Sequence, residues 1–215
     1  MLEVAEKDIL HSLERDNPWW AMTAPIDLDK KFPHRRAYFK GFRDLAFNWN
    51  VRRSIILMGP RRVGKTVMLQ QLISDAIKEG VLPNSILFVS IDTPLYSGMP
   101  LQKLLDLFHK QTGCDPDGRR LIIFDEIQYL RDWEVHLKVL TDQFPNTKFV
   151  ASGSAAAALR LKSQESGAGR FTDYFLPPLT FSEFLDFSQL EQTLISETHN
   201  GRTKRYQARD ITALN

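Results

Sequence analysis

The chain has 215 residues, 43% of them hydrophobic and 25% charged, and a formal net charge of +2. These values predict a globular protein of one large domain, with or without a short appendage, and the charge is too small to indicate nucleic acid or an acidic membrane as a partner. The single cysteine, Cys114, excludes an internal disulfide, and no apolar run reaches the roughly 18 residues of a membrane span, so we expect a cytoplasmic protein that does not enter a membrane.

The first 50 residues predict a helical segment that packs on a larger core. Residues 3–15 have the apolar spacing of a helix that should end at Asn17-Pro18. The pair Trp19-Trp20 is costly to expose to water, so we expect it to pack against the main body, with stacking on a purine base as the alternative. Residues 32–43 mix basic and aromatic side chains, as nucleic-acid surfaces do, but their helical period favours a helix with one buried face and one solvated basic face.

A phosphate-binding loop is predicted where an apolar run, residues 54–58, leads into the pattern G-x-x-x-x-G-K-T and then into a helical period. Gly59 and Gly64 allow the backbone to approach an anion closely, and the positive end of the following helix favours phosphate. Lys65 should reach the β and γ oxygens of ATP, and the Thr66 hydroxyl should ligate Mg²⁺. The alternative is a glycine-containing turn between a core strand and a helix. The residues predicted to contact the nucleotide are Gly59, Pro60, Arg61, Arg62, Val63, Gly64, Lys65, Thr66 and Val67.

Strands and helices alternate after this loop. Buried strands are predicted at residues 86–91, 121–124 and 148–151, with helical spacing between them. Short strands separated by helices are typical of a parallel sheet with helices on both faces. The sequence therefore predicts a three-layer α/β sandwich, with the loop after Asp92 expected near the site.

Two acidic residues, Asp125 and Glu126, end the third predicted strand. Their adjacency suits a division of labour in which Asp125 helps to hold Mg²⁺ while Glu126 polarises a water for in-line attack on the γ-phosphate. Acidic residues at a helix N-terminus are the alternative explanation. The glutamate favours hydrolysis over phosphoryl transfer to a small molecule.

The fourth predicted strand leads into Ser152-Gly153-Ser154. Because the loops of a parallel sheet gather at its carboxyl edge, either serine would lie near the γ-phosphate. We expect Ser152 to act as the sensor of that phosphate and Ser154 to cap a helix over residues 155–161.

Four stretches follow one another between about residues 35 and 187: GPRRVGKT, LIIFDEIQYLRDWE, FVASGS and AGRFTDYFLPPLTFSEFL. In this order they resemble the AAA+ ATPases of the archaeal-type ATPase group. The resemblance implies the fold of P-loop nucleoside triphosphatases, with strand order 5-1-4-3-2 and an ATPase core at residues 51–187. It also implies that Asp125 and Glu126 are the Walker B pair and Ser152 the sensor.

The same resemblance implies an arginine finger at Arg170. As a finger, Arg170 would reach the γ-phosphate bound by a neighbouring copy in a homo-oligomer. The alternative is a structural role, in which Arg170 pairs with a carboxylate of its own subunit.

The chain departs from the family at its end, because relatives usually continue into a small lid and often into a further domain. Residues 188–215 are polar, so we expect a solvated tail or the start of a missing lid, with a docking patch as the alternative. The expected function is Mg²⁺-dependent ATP hydrolysis that drives a conformational or assembly change, in a context that the resemblance allows to be defence or mobile elements. A nucleotide-gated switch or scaffold and a nucleic-acid-binding ATPase module are the alternatives, and the protein or nucleic-acid partner is not indicated.

Overall fold

The computed structural model describes residues 5–21, 28–154, 169–190, 195–200 and 203–208. These residues fall into two compact units, Met1–Leu176 and Pro177–Asn215. The unit that contains the predicted site thus ends at Leu176, before the expected limit of the core at residue 187. Within the described residues, no helix combines the length and the apolar character needed to cross a membrane.

A five-stranded parallel sheet forms the centre of the first unit. Its strands run in the order β2-β3-β4-β1-β5, which confirms the expected order 5-1-4-3-2 in the opposite reading direction. Every residue of β1 and β3 is buried, as their apolar runs predict. The strands are β1 Ser54–Met58, β2 Ile86–Ser90, β3 Arg120–Asp125, β4 Thr147–Gly153 and β5 Phe171–Phe175.

Helices cover both faces of this sheet, which confirms the three-layer arrangement. Side chains alternate along a strand, so Ile56 and Met58 pack with α1, α5 and α6, whereas Ile55 and Leu57 pack with α3 and α4. The helices of this unit are α1 Glu6–Asp16, α2 Leu28–Lys31, α3 Phe39–Ala46, α4 Lys65–Lys78, α5 Leu101–Thr112 and α6 Trp133–Gln143.

The helix expected over residues 32–43 is shorter than predicted and begins at Phe39. Its buried positions include Phe42, as expected, but residues 32–38 before it have no helical structure and include a turn. The Gln71 side chain donates to the carbonyl oxygens of Phe32 and His34, both at 2.9 Å, so these carbonyls are bound from α4 and not by a helical turn.

The open edge of β2 is covered by side chains of the N-terminal segment. The amide of Asn17 donates to the carbonyl of Phe88 at 2.8 Å and accepts from its N–H at 2.6 Å, as a neighbouring strand would. Both indole N–H groups of Trp19 and Trp20 donate to the carbonyl of Ile86, at 3.0 and 2.7 Å. This pairing protects an edge strand from other chains, and it confirms that the tryptophan pair packs against the main body.

The second unit contains one helix and one β-hairpin among its described residues. Helix α7, Phe181–Phe187, begins with a capping box between Thr180 and Glu183. Strands β6 Ile195–Asn200 and β7 Thr203–Ala208 pair antiparallel. The sequence analysis predicted no strand in this region, where it expected a solvated tail or the start of a missing lid, so β6 and β7 were not foreseen.

Replacing Asn17 tests how much the edge pairing stabilises the fold. Asn17 is fully buried, and Asn17→Leu keeps the branched shape of the side chain but leaves the N–H and C=O of Phe88 unpaired. We expect the free energy of unfolding to fall by about 2–5 kcal/mol, since each unpaired buried group costs about 1–3 kcal/mol. Urea unfolding measures this, with the exposed Lys7→Ala of the same helix as control. A loss no larger than that of the control would show that the edge bonds add no stability.

Candidate nucleotide-binding site

The loop between β1 and α4 has a backbone that requires glycine at two positions. A Cβ on Gly59 would lie 2.3 Å from the carbonyl oxygen of Leu176, so no other residue fits there without a shift. Gly64 has a φ of +96°, which side-chain-bearing residues rarely adopt. Arg62 also lies in the left-handed region, with a φ of 63°. The loop therefore has the tightly wound form that exposes successive N–H groups to an anion.

Lys65, the first residue of α4, folds back over this loop. Its side chain is 4% exposed, and Nζ donates to the carbonyl oxygens of Gly59 and Pro60 at 3.1 and 2.9 Å. Oε1 of Glu126 lies 4.0 Å from Nζ. A buried ammonium bound mainly to neutral carbonyls can still attract a phosphate, and its contact with the β and γ oxygens stays a prediction.

Thr66 and Asp125 meet at the end of the loop. The Thr66 hydroxyl donates to Oδ2 of Asp125 at 2.6 Å, and the Ser152 hydroxyl donates to the other carboxylate oxygen. Burial raises the pKa of Asp125, and the hydrogen bonds from Ser152 and Thr66 oppose this shift without cancelling it. The hydroxyl and carboxylate oxygens form an oxygen-only donor set next to the loop, which fits the coordination that Mg²⁺ requires when phosphates supply further ligands.

Glu126 follows Asp125 with a left-handed backbone, φ 54° and ψ 44°. Its N–H donates to Oγ of Ser152 at 3.1 Å, and its carboxylate accepts from the amide of Gln128. The other end of that amide, Oε1, accepts from the N–H of Ser154 at 3.2 Å. The side chain of Glu126 is thus held to the end of β4 through Gln128, a residue that the sequence analysis did not select.

A cleft of about 470 Å³ opens at the carboxyl edge of the sheet beside these groups. Two other cavities, of about 390 and 360 Å³, lie away from the loop, beside Trp49 and beside Trp20. Asp92 lines the cleft, but none of the described residues 93–100 of the loop after it does, and Ser90 and Tyr129 were not foreseen. Arg61 donates to the hydroxyl of Tyr129 at 2.9 Å. The cleft is lined by Arg61, Arg62, Thr66, Ser90, Asp92, Asp125, Glu126 and Tyr129.

The structure also places Val63 and Val67, the other two residues predicted to contact the nucleotide. The carbonyl oxygen of Val63 accepts a hydrogen bond from Arg36, at 2.6 Å. Val67 lies in the first turn of α4. The helix that Ser154 was expected to cap, residues 155–161, lies outside the described residues.

Arg170 lies at the opposite edge of the sheet from the loop. It directly precedes β5, and its carbonyl accepts from the N–H of Ser54 at the start of β1, whereas the loop follows the end of β1. Its side chain is 39% exposed and pairs with Asp142, with Nε 2.8 and 2.9 Å from the two carboxylate oxygens. This pair is the structural alternative that the sequence left open. A role at the phosphate of a neighbouring copy stays a prediction.

Two curated proteins match the central part of the chain. MJ1637 of Methanocaldococcus jannaschii, described as uncharacterized, is 33% identical over 132 residues, which cover 61% of this chain and 27% of that protein. An uncharacterized protein of Haemophilus influenzae is 29% identical over 133 residues, covering 60% of this chain and 32% of that protein. The chain therefore matches about a third or less of the length of these relatives.

Solved structures and a protein family also match. The Pif1 helicase of Candida albicans has a TM-score of 0.48 at 13% identity, covering 74% of this chain and 44% of that chain. PCH-2 of C. elegans has a TM-score of 0.51 at 14% identity, covering 82% of this chain and 55% of that chain, and this likeness concerns the fold alone. Residues 51–185, more than half of the chain, match the family described as AAA domain. The chain belongs to the AAA domain family, and its P-loop nucleoside triphosphatase fold carries the loop and acidic residues described above.

Proposed function

We propose that this chain binds ATP with Mg²⁺ and hydrolyses it, and that turnover drives a conformational or assembly change. The observation that carries this proposal is that the Thr66–Asp125 pair and the Glu126 carboxylate line one cleft, while the buried Lys65 ammonium lies 4.0 Å from Glu126. These groups come from one helix start and one strand end. They supply the separate tasks that hydrolysis of a triphosphate needs.

Each group has a task that its surroundings support. Lys65 and the N–H groups of the loop bind the phosphates, and Thr66 with Asp125 would hold Mg²⁺, which when bound neutralises charge on the phosphate oxygens. Glu126 orients and deprotonates the attacking water, and Gln128 holds its carboxylate at the cleft. Ser152, hydrogen-bonded both to Asp125 and to the N–H of Glu126, is proposed as the sensor that links the two acidic residues.

The finer assignments from the sequence are part of this proposal. Membership of the archaeal-type group, and a context of defence or mobile elements, are proposed on the four stretches that carry the resemblance. The nucleic-acid alternative has less support, because Arg35 and Arg43 of the basic segment both pair with Asp75. Cations held in a network of ion pairs are not a free surface for phosphate backbones.

Lys65→Ala should abolish ATP binding while the protein stays folded. The ammonium lies folded over the loop, and its removal leaves no cation at that position to attract phosphate. Calorimetric titration with Mg–ATP measures the affinity, and thermal unfolding measures the fold. Lys40→Ala, which removes an exposed lysine, is the matched control. Wild-type affinity in Lys65→Ala would show that the loop does not bind phosphate.

Glu126→Gln should separate binding from chemistry. The amide keeps the size of the side chain but cannot accept a proton from water, so ATP should still bind while turnover falls by about 10²-fold or more. Asp125→Asn should instead weaken the Mg²⁺-dependent part of ATP binding. Steady-state phosphate release and calorimetry measure the two effects. Wild-type turnover in Glu126→Gln would place the catalytic base at another residue.

Arg170→Ala and Asp142→Ala together test the two roles of Arg170. If the arginine only pairs with Asp142, the two variants should show the same small change in stability and unchanged turnover, since exposed ion pairs contribute little. A finger predicts that turnover falls in Arg170→Ala alone, and that wild-type turnover per subunit rises with protein concentration. From the observed pair, we expect the first result for the isolated subunit at low concentration. A loss of turnover confined to Arg170→Ala under those conditions would contradict it.

A further inference from the structure

Arg36 contacts the phosphate-binding loop from outside it. Its guanidinium donates to the carbonyl oxygen of Val63 at 2.6 Å, across 27 positions of sequence. Only 7% of Arg36 is exposed, although the sequence placed it on a solvated basic face, so that expectation is wrong for this residue. The roles proposed above for the residues of the cleft do not explain why a buried arginine binds a carbonyl of the loop.

The segment that carries Arg36 is bound to α4 by the residues that directly precede the arginine. Before it, Gln71 holds the carbonyls of Phe32 and His34. Next to it, Arg35 makes two hydrogen bonds to the carboxylate of Asp75, at 2.9 and 2.7 Å. Burial alone would raise the pKa of Asp75, but hydrogen bonds and charge from Arg35 and Arg43 outweigh it, so this pKa lies below its ordinary value and the carboxyl stays ionised. Since α4 begins at Lys65, these contacts place Arg36 at a set position relative to the loop.

The bond to Val63 controls one peptide of the loop. The Val63 C=O and the Gly64 N–H belong to the same planar trans peptide and point in opposite directions. Gly64, with its φ of +96°, is conformationally permissive, so this peptide is one that could rotate. A rotated peptide would direct a carbonyl dipole, instead of an N–H, toward a bound phosphate. Holding the carbonyl therefore fixes the direction of the N–H.

We propose that Arg36 is a positioning residue of the nucleotide site, which keeps the Val63–Gly64 peptide in the orientation that binds phosphate. The proposal rests on the proposed function, because it assumes that the loop binds a nucleotide. It makes affinity depend on a residue outside the loop pattern. Because the effect concerns phosphate and not the base, ATP, ADP and GTP should all be affected alike.

Arg36→Met tests the proposal, with Arg35→Met as the matched control. Both changes remove a guanidinium from the same segment, but only Arg36 contacts the loop; Arg35 contacts Asp75. We expect Arg36→Met to weaken Mg–ATP and Mg–ADP binding by about tenfold to a hundredfold, the scale of a lost charge-assisted hydrogen bond. Arg35→Met should lower the unfolding temperature and change affinity by less than about threefold. Arg36→Lys, which keeps one cationic donor, should recover part of the affinity.

A second measurement reports the conformation of the loop in the absence of nucleotide. With glycine labelled by ¹⁵N, the amide signal of Gly64 should shift or broaden in Arg36→Met and stay in place in Arg35→Met. This signal and the calorimetry are recorded at a temperature where thermal unfolding shows each variant to be folded, and Arg36→Lys gives the same comparison should Arg36→Met not fold.

The outcomes separate the inference from the proposed function. Wild-type affinity and an unmoved Gly64 signal in Arg36→Met would overturn the positioning role. The proposed ATP site would still be supported in that case if Lys65→Ala lost ATP binding. Equal losses of affinity in Arg35→Met and Arg36→Met would also overturn the positioning role, because they would indicate a general effect of the segment. If the wild-type protein bound no nucleotide, the proposed function itself would fail.

Discussion

The candidate site depends on the hydrogen bonds that the buried carboxylate of Asp125 accepts. This carboxylate joins the start of α4, through Thr66, to the end of β4, through Ser152, and both contacts exist only because β1, β3 and β4 run parallel. In a parallel sheet, every strand ends at the same edge, so residues separated by dozens of positions meet there. Burial makes this carboxylate costly to ionise, which the two hydroxyl donors partly offset. A cation at this position would stabilise the ionised form further.

The sequence predicted those features that leave a local pattern. Buried strands appear as apolar runs, and the loop appears as two glycines before Lys65 and Thr66, so the sheet and the acidic pair on β3 could be foreseen. The hairpin of β6 and β7 could not be read in the same way, because its strands are polar and have no apolar alternation, although Asn200-Gly201 is a common hairpin signal. Gln128 and Arg36 were missed or misplaced for another reason. Their roles come from tertiary hydrogen bonds, which no periodicity encodes.

The N-terminal segment is structurally part of the nucleotide-binding unit. At one end, Asn17 and the two tryptophans pair with the backbone of β2, which would otherwise present open hydrogen-bonding groups. At the other, residues 32–36 lie along α4 and contact the loop through Arg36. The AAA domain match begins at residue 51, after both sets of contacts. The packed unit therefore includes residues before the matched region. The match reflects sequence similarity, whereas these contacts form because backbone groups and buried charges need partners.

The contacts of Lys65 also bear on how the site can accept a triphosphate. A lysine in a tight ion pair must lose a charged partner before it can bind phosphate, and breaking a buried pair is costly. Here the ammonium is held by the carbonyls of Gly59 and Pro60, while Glu126 stays 4.0 Å away with one carboxylate oxygen bound to Gln128. Exchanging two neutral carbonyls for phosphate oxygens costs less than separating two charges. Gln128 thus holds one oxygen of Glu126 at the cleft for its proposed reaction, while the other oxygen makes only a long ion pair, 4.0 Å, with the lysine that the phosphates need.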